Sequence, residues 1–248
     1  YVGTNANPTR YAERHEFHLS PKAAISHQLR DDLVLKGSLA RSLRMPTPQE
    51  LYSNTSTSGA GTFLNDPNLK PEVNTTSEIS LEQDLGLGLL RLTGFFENTR
   101  DAIYSQKGAL DSTTSNVQNI KRIESKGLEV AYSGNDVFTR GLDFSTSATY
   151  VDSRIKENAA ARDTIDKQQI RVPFWRANAL ANYRWSGQLS TSLGARYAGH
   201  QFGQLNNSDI NGFAMTGNSK FFVVDTRVLY KVDKQWSIAG GIDNLNNY

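Results

Sequence analysis

The sequence predicts an all-β fold, an antiparallel β-barrel wall built from strands that cross a membrane. Three observations predict it. Apolar and polar residues alternate with period two over long stretches, short polar turns alternate with long polar loops, and aromatic residues gather near the strand ends.

The alternation is sustained. In LSTSLGARYA, Leu189, Thr191, Leu193, Ala195 and Tyr197 share one face while Ser190, Ser192, Gly194 and Arg196 share the other. LDFSTSATY divides into Leu142, Phe144, Thr146, Ala148 and Tyr150 against Asp143, Ser145, Ser147 and Thr149. ANALANYRW divides the same way with Leu180 the exception, and FVVDTRVLYKV sets Phe222, Val224, Thr226, Val228, Tyr230 and Val232 against Asp225, Arg227 and Lys231. Period two means strands with one apolar and one polar face, and no stretch carries a convincing helical period. The pattern places strands at 17–30, 33–42, 73–84, 88–100, 117–133, 139–152, 170–186, 188–200, 219–232 and 235–243. Many exceed the usual five or six residues of a globular strand and suit the roughly 9–11 tilted residues that cross a bilayer.

Short turns are expected at Arg30-Asp31-Asp32, Asp84 to Gly88, Gly134-Asn135-Asp136, Ser186-Gly187 and Asp233-Lys234. Long loops rich in Gly, Ser, Thr and Asn lie between them, at about 43–72, 101–116, 153–169 and 201–218. Outer-membrane barrels alternate tight periplasmic turns with long extracellular loops in this way. Tyr132, Tyr183, Trp185, Tyr230 and Trp236 fall at the short-turn ends, and Tyr150, Tyr197 and Phe222 near the long-loop ends. Amphipathic rings settle at headgroup depth on both sides of a bilayer. A soluble β-sandwich has no reason to sort them so.

Composition narrows the function classes. A mean hydropathy of −0.52, with 38% hydrophobic and 21% charged residues, reads on its own as a soluble chain. No stretch approaches the roughly 18 apolar residues of a membrane helix; LGLGLL at 85–90 is far too short. The formal charge of +2 gives no sign of a nucleic-acid partner. The absence of cysteine excludes thiol catalysis and thiolate metal sites in this chain. The N-terminal YVGTNANPTRYAERHEF has no apolar core of the kind a signal peptide carries.

LARSLRMPTPQELY at 39–52 and NDPNLKPEVNTTSEISLE at 65–82, then NIKRIESKGLEVAY at 119–132 and DTRVLYKVDKQWSIAGGIDNLNNY at 225–248, resemble successive barrel segments of TonB-dependent outer-membrane receptors. The order and spacing agree from about residue 17. The resemblance implies a barrel of about 22 strands around a plug domain, sited in the outer membrane of a Gram-negative bacterium. It implies uptake of a scarce nutrient, most often a ferric siderophore, powered by TonB through the plug. Residues 1–248 would then be a single partial barrel domain, about strands 12 to 21, without the plug and without the final strand. The closing NLNNY departs from the aromatic or Thr that more often follows NL.

Candidate sites follow from loops and lumen. Phe202, Phe213 and Met215 in QFGQLNNSDINGFAMTGN could grip an apolar or catecholate ligand, or pack their loop onto its neighbours. Arg184, Arg196 and Arg227 are expected to line the lumen, where they could steer an anionic chelate, pair with plug carboxylates, or pair with the inward Asp143 and Asp225. Arg44, Pro46, Asn68, Leu69, Lys70, Pro71 and Glu72 resemble the R-x-P and N-P-N-L frame of haem receptors, but the loop they flank has no histidine to ligate haem iron. Those residues more simply shape strand ends. His15 and His18 are three apart in an extended stretch and point to opposite faces, unlike a zinc H-E-x-x-H pair. Gly86-Leu87-Gly88 reads as a tight turn, Asp31-Asp32 as a solvated turn. No catalytic set, metal site or cofactor is expected, so the reading is a transporter. A passive porin or a barrel enzyme is the alternative, the latter needing more than His200 near the outer rim.

Overall fold

Ten strands follow one another across one antiparallel sheet in the computed structural model, which describes residues 11, 13–52, 55–57, 61–107, 114–209 and 220–247. In chain order the elements are β1 (Lys22–Arg30), β2 (Leu33–Arg44), α1 (Pro48–Tyr52), β3 (Thr55–Thr57), β4 (Gly61–Leu64), β5 (Glu72–Asp84), β6 (Gly88–Lys107), β7 (Thr114–Gly134), β8 (Leu142–Glu157), β9 (Trp175–Arg184), β10 (Leu189–Ala198), β11 (Phe221–Lys231) and β12 (Ser237–Ile242). The path runs β1-β2-β5-β6-β7-β8-β9-β10-β11-β12, with β3 and β4 as a small hairpin off it. All ten strands expected from the alternation are present.

Register carries the two faces from strand to strand. Ser192 lies opposite Asn182 and Arg227, whereas its neighbour Leu193 lies opposite Ala181 and Thr226. Because the side-chain period is two, a one-residue slip would exchange the faces entirely. On the apolar face, Ile79, Leu128 and Leu193 remain 65%, 57% and 52% exposed. None of the described residues covers this band, an apolar face of the kind that suits acyl chains. The polar face curls around a concavity of about 910 Å³ whose wall takes residues from β1 (Ser26) through to β9 (Arg176).

The aromatic rows sit where the sequence placed them. Tyr150 faces Trp175 across β8 and β9, and Tyr197 faces Phe222 across β10 and β11. Trp175, at 52% exposure, is a member of this row that the alternation analysis passed over. At the other end, Tyr183 packs edge-on against Trp185 with ring centroids 4.6 Å apart. Trp175 and Tyr183 bound β9, about 27 Å apart along the strand, which after tilting matches the apolar height of a barrel wall.

The hydrophobic core of the described residues lies beyond the aromatic row, at the long-loop end. One cluster joins Ala102, Ile120, Ile123 and Ile155, with Tyr104 and Leu205 packed against it. A second joins Leu51, Leu69 and Ile103, flanked by Tyr52 and Val117. These clusters explain a difference from the sequence expectation. The stretch 101–116 is largely strand rather than loop, since β6 and β7 stay paired out to Lys107 and Ser115. A bare two-stranded extension is marginal in water, but this one is buried by the segments laid against it. β8 likewise runs on to Glu157 instead of ending at 152.

Two further differences are local. Pro48–Tyr52 is helical, where no helix was expected. Its start is a capping box with Pro at the first position: the Glu50 N–H donates to Thr47 Oγ1 (3.2 Å) and the Thr47 N–H to Glu50 Oε2 (2.7 Å). β9 begins at Trp175 rather than 170, yet 168–174 still runs beside β8, with Gln169 N–H donating to Ser153 O (2.9 Å) and Val151 N–H to Phe174 O (2.9 Å). The Gly86 turn is as expected, with φ +83° and Leu85 N–H bonded to Gly88 O at 2.8 Å.

β1 and β12, the ends of the path, are exposed along their whole length. Unpaired edges invite further pairing. The isolated segment is expected to self-associate in detergent-free buffer, and a monodisperse monomer by analytical ultracentrifugation would contradict the membrane-wall reading.

Candidate functional site: the lumen face and its outer rim

The polar face is cross-braced by charge. Glu82 on β5 sits between Lys36 on β2 (2.6 Å) and Arg91 on β6 (2.8 Å). Strand pairing sets this up: Val34 and Glu82 are opposed, Glu82 and Arg91 are opposed, and Lys36 lies one step diagonally away on the same face. Glu78, Glu97 and Glu129 face the same concavity. Thr149 Oγ1 donates to Glu129 at 3.1 Å.

The arginines expected to line the lumen separate into two kinds. Arg184 is ion-paired to Asp143 across β8 and β9 and to Asp136 in the β7–β8 turn (2.8 Å). Arg196 is paired to Asp225 across β10 and β11 (2.9 Å). Arg227 makes no ion pair among the described residues. So two of the three take partners on the wall itself, one of the alternatives the sequence allowed. Asp136 is held below the usual carboxylate range by the Gly141 N–H (2.6 Å) and then by Arg184. Leu180, the apolar exception of its strand's polar face, lies opposite Gly194, whose missing side chain leaves it room.

At the rim, the long-loop segments interlock. Asn119 of β7 copies a strand edge, accepting the Lys70 N–H (2.9 Å) and donating to Lys70 O (3.0 Å) and Asp101 O (2.7 Å). This fastens the stretch that carries Asn68 to Glu72. Arg44 is paired to Glu50 (3.1 Å) and Glu72 (3.5 Å), and Glu72 accepts the Ile103 N–H (3.1 Å). Those residues thus shape the ends of β2 and β5, the structural role expected of them. Tyr104 receives a hydrogen bond from Gln169 (2.8 Å), and burial pushes its hydroxyl pKa up, keeping it a neutral polar group. The buried amide of Asn158 donates to Gln106 (2.7 Å) and Thr164 (2.9 Å).

Phe202 is partly buried, edge-on to His200 at 4.6 Å, and its carbonyl accepts the Arg171 N–H (2.9 Å). Asn207 clasps Gln168 through two bonds, and Leu205 packs on the Ile120 cluster. The described part of the loop is therefore packed against its neighbours, with Phe202 half-exposed. Phe213 and Met215 lie outside the described residues. His18 and His15 turn to different carboxylates, Glu16 (2.8 Å) and Glu13 (3.3 Å). The rim residues Tyr104, Gln169 and Asn119 carried no sequence signal, because each acts through a partner between about 18 and 65 positions away.

A two-faced antiparallel wall, aromatic rows at both ends, a charged lumen face and an interlocked rim match one known family. The model of the TonB-dependent receptor-like β-barrel covers residues 1–245. The chain belongs to the TonB-dependent receptor family. This receptor wall is 25% identical over 244 residues to the iron-regulated outer membrane virulence protein of Vibrio cholerae serotype O1, the match covering 92% of the chain and 35% of that protein. The chain thus spans about a third of the length of the curated relatives it matches. Among solved structures it overlays on a mutant ferric enterobactin receptor of Pseudomonas aeruginosa with a TM-score of 0.70 at 21% identity, covering 92% of the chain and 34% of that receptor. The siderophore receptor PirA of Pseudomonas aeruginosa matches at 0.68 and 18% (91% and 38% covered), and the copper transporter OprC at 0.70 and 19% (92% and 34%). The solved structures share its fold, that of receptor barrels.

Proposed function

We propose that the protein is an outer-membrane receptor that imports a ferric siderophore or similar scarce metal chelate, with TonB acting through a plug domain seated against the lumen face. It is a transporter, not an enzyme. The observation that carries the reading is the pairing of an uncovered apolar band with a lumen face whose charges are braced within the wall. A lumen so braced keeps its shape while a plug moves or a solute passes. The relative named for iron regulation and the neighbours named as siderophore receptors support iron chelates as the cargo class. The exposed Arg171 and the half-exposed Phe202 put a cationic and an aromatic group at the outer rim, a suitable combination for an anionic, aromatic-rich chelate.

The test is iron-limited growth of a strain relying on the full-length receptor, with a ferric catecholate siderophore as the iron source. Deleting 210–218 should weaken chelate binding by about tenfold or more while heat-modifiable gel migration shows the barrel still assembled. Unchanged affinity in a binding titration would remove that loop from the site, and growth independent of the receptor would remove the cargo assignment.

A further inference from the structure

We infer that an anionic chelate crosses the lumen along one side of the wall, a cationic lane on β9, β10 and β11 marked by Arg176, Arg196 and Arg227. The inference rests on the transport reading proposed above and adds a path to it.

The lumen face is divided by charge. On β2, β5, β6 and β7 the concavity takes two cations, Lys36 and Arg91, and four carboxylates, Glu78, Glu82, Glu97 and Glu129. Both cations are spent on Glu82. Glu129 has the Thr149 hydroxyl, while Glu78 and Glu97 have no ion-pair partner among the described residues. From β9 to β11 the balance is reversed. Asp143 and Asp225 are spent on Arg184 and Arg196, which leaves Arg176 and Arg227 without an ion-pair partner among the described residues. Between the two regions β8 presents Ser145, Ser147 and Thr149 on the same face, all neutral and small. Low-dielectric walls focus such fields, so an anion in the lumen is repelled from the first region and drawn to the second.

Register sets the cations in a column. Arg176 lies opposite Ala198 on β10, Arg196 is two residues lower, and Arg227 lies opposite Ser192, four residues lower again. Those steps are about 7 and 13 Å along a strand, comparable with a screening length of roughly 8–10 Å in physiological salt. An anion leaving one cation is already in the field of the next. The pair with Asp225 engages a single nitrogen of Arg196, whose side chain stays 61% exposed. Gly241, opposite Arg227 on β12, has no side chain to cover it. Nearby polar groups are satisfied within the wall, Asn178 on Ser147 (2.8 Å) and Ser192 on Asn182 (3.0 Å). A passing solute thus meets a few exposed cations and little else that would hold it, the balance conduction requires.

The test is the initial rate of radiolabelled iron uptake from a ferric catecholate siderophore, in cells relying on the full-length receptor. Surface binding is measured separately on de-energised cells, and heat-modifiable gel migration checks barrel assembly. Arg176→Gln with Arg227→Gln should slow uptake about tenfold, and the exposed Arg227→Gln alone about threefold, with surface affinity within about twofold of the parent. Arg176→Lys with Arg227→Lys keeps both charges and should import within about twofold of the parent rate. Raising salt from about 0.05 to 0.3 M should slow the parent about threefold and leave the glutamine double variant nearly unchanged. Parental uptake in the glutamine double variant would overturn the lane. So would a lysine variant as slow as the glutamine one, or a parental rate that salt does not touch, since fixed pairs with a plug are screened far less than a moving anion. A parent that imports no ferric catecholate would instead overturn the transport reading on which the lane rests.

Discussion

Leu193→Arg is expected to lower barrel stability by about 2–4 kcal/mol, while Ser192→Arg leaves it nearly unchanged. The two positions are adjacent on β10 and share the same strand neighbours, so depth and propensity are almost equal. Only direction differs. Leu193 points away from the lumen between Ala181 and Thr226 and is 52% exposed to whatever surrounds the wall. Ser192 points into the lumen, where it donates to Asn182 (3.0 Å), and an arginine there would join the charged groups of that face. Denaturant unfolding of the full-length receptor in micelles measures both. Leu193→Ala adds a second discrimination. In a packed protein core it would cost about 2–5 kcal/mol through the cavity it leaves, but lipid or detergent chains fill a gap on an outer surface. A small loss for Leu193→Ala beside a large loss for Leu193→Arg is the expected result. Equal losses for Ser192→Arg and Leu193→Arg would mean that the faces are reversed.

The second large effect is expected at Gly127, the glycine of the GLEVAY segment. Its hydrogen position is occupied on the lumen side by the Phe95 ring, and a Cβ there would lie 2.5 Å from Phe95 Cζ and press into the Tyr150 carbonyl of β8. A methyl group cannot be accommodated without moving a ladder strand. Gly127→Ala should therefore cost about 1–3 kcal/mol as an overpacking change, possible relief coming only from Phe95. Gly94 is the control. A Cβ at that site meets only Leu128 Cδ2, at 3.5 Å, and Gly94→Ala should stay within about 0.5 kcal/mol. The double variant Phe95→Ala with Gly127→Ala should lose less than the two single losses added together, since the ring clash is gone while the carbonyl clash remains. Strict additivity in micelle unfolding would show that Phe95 and Gly127 are not in contact.

The sequence by itself determined the features that depend on near neighbours. Strand positions, facing and turns are set by period two and by local backbone chemistry, which is why Leu193 and Ser192, the Gly86 turn and the Tyr183 and Tyr197 rows all sit where the alternation put them. Even the Thr47 to Glu50 capping box was written in four consecutive residues, although the helix it starts is too short to show a period. What only the tertiary structure decided is everything that needed a distant partner. Whether 101–107 pairs or loops depends on Leu51, Leu69 and Leu205 arriving from three other segments to cover it. Arg184 could have met any inward carboxylate, and the register of β8 against β9 with the bend of the β7–β8 turn selected Asp143 and Asp136. Phe95 covers Gly127, 32 positions on, because the ladder brings them side by side. Local sequence specifies which way a side chain points; the pairing of strands far apart in the chain specifies what it meets there.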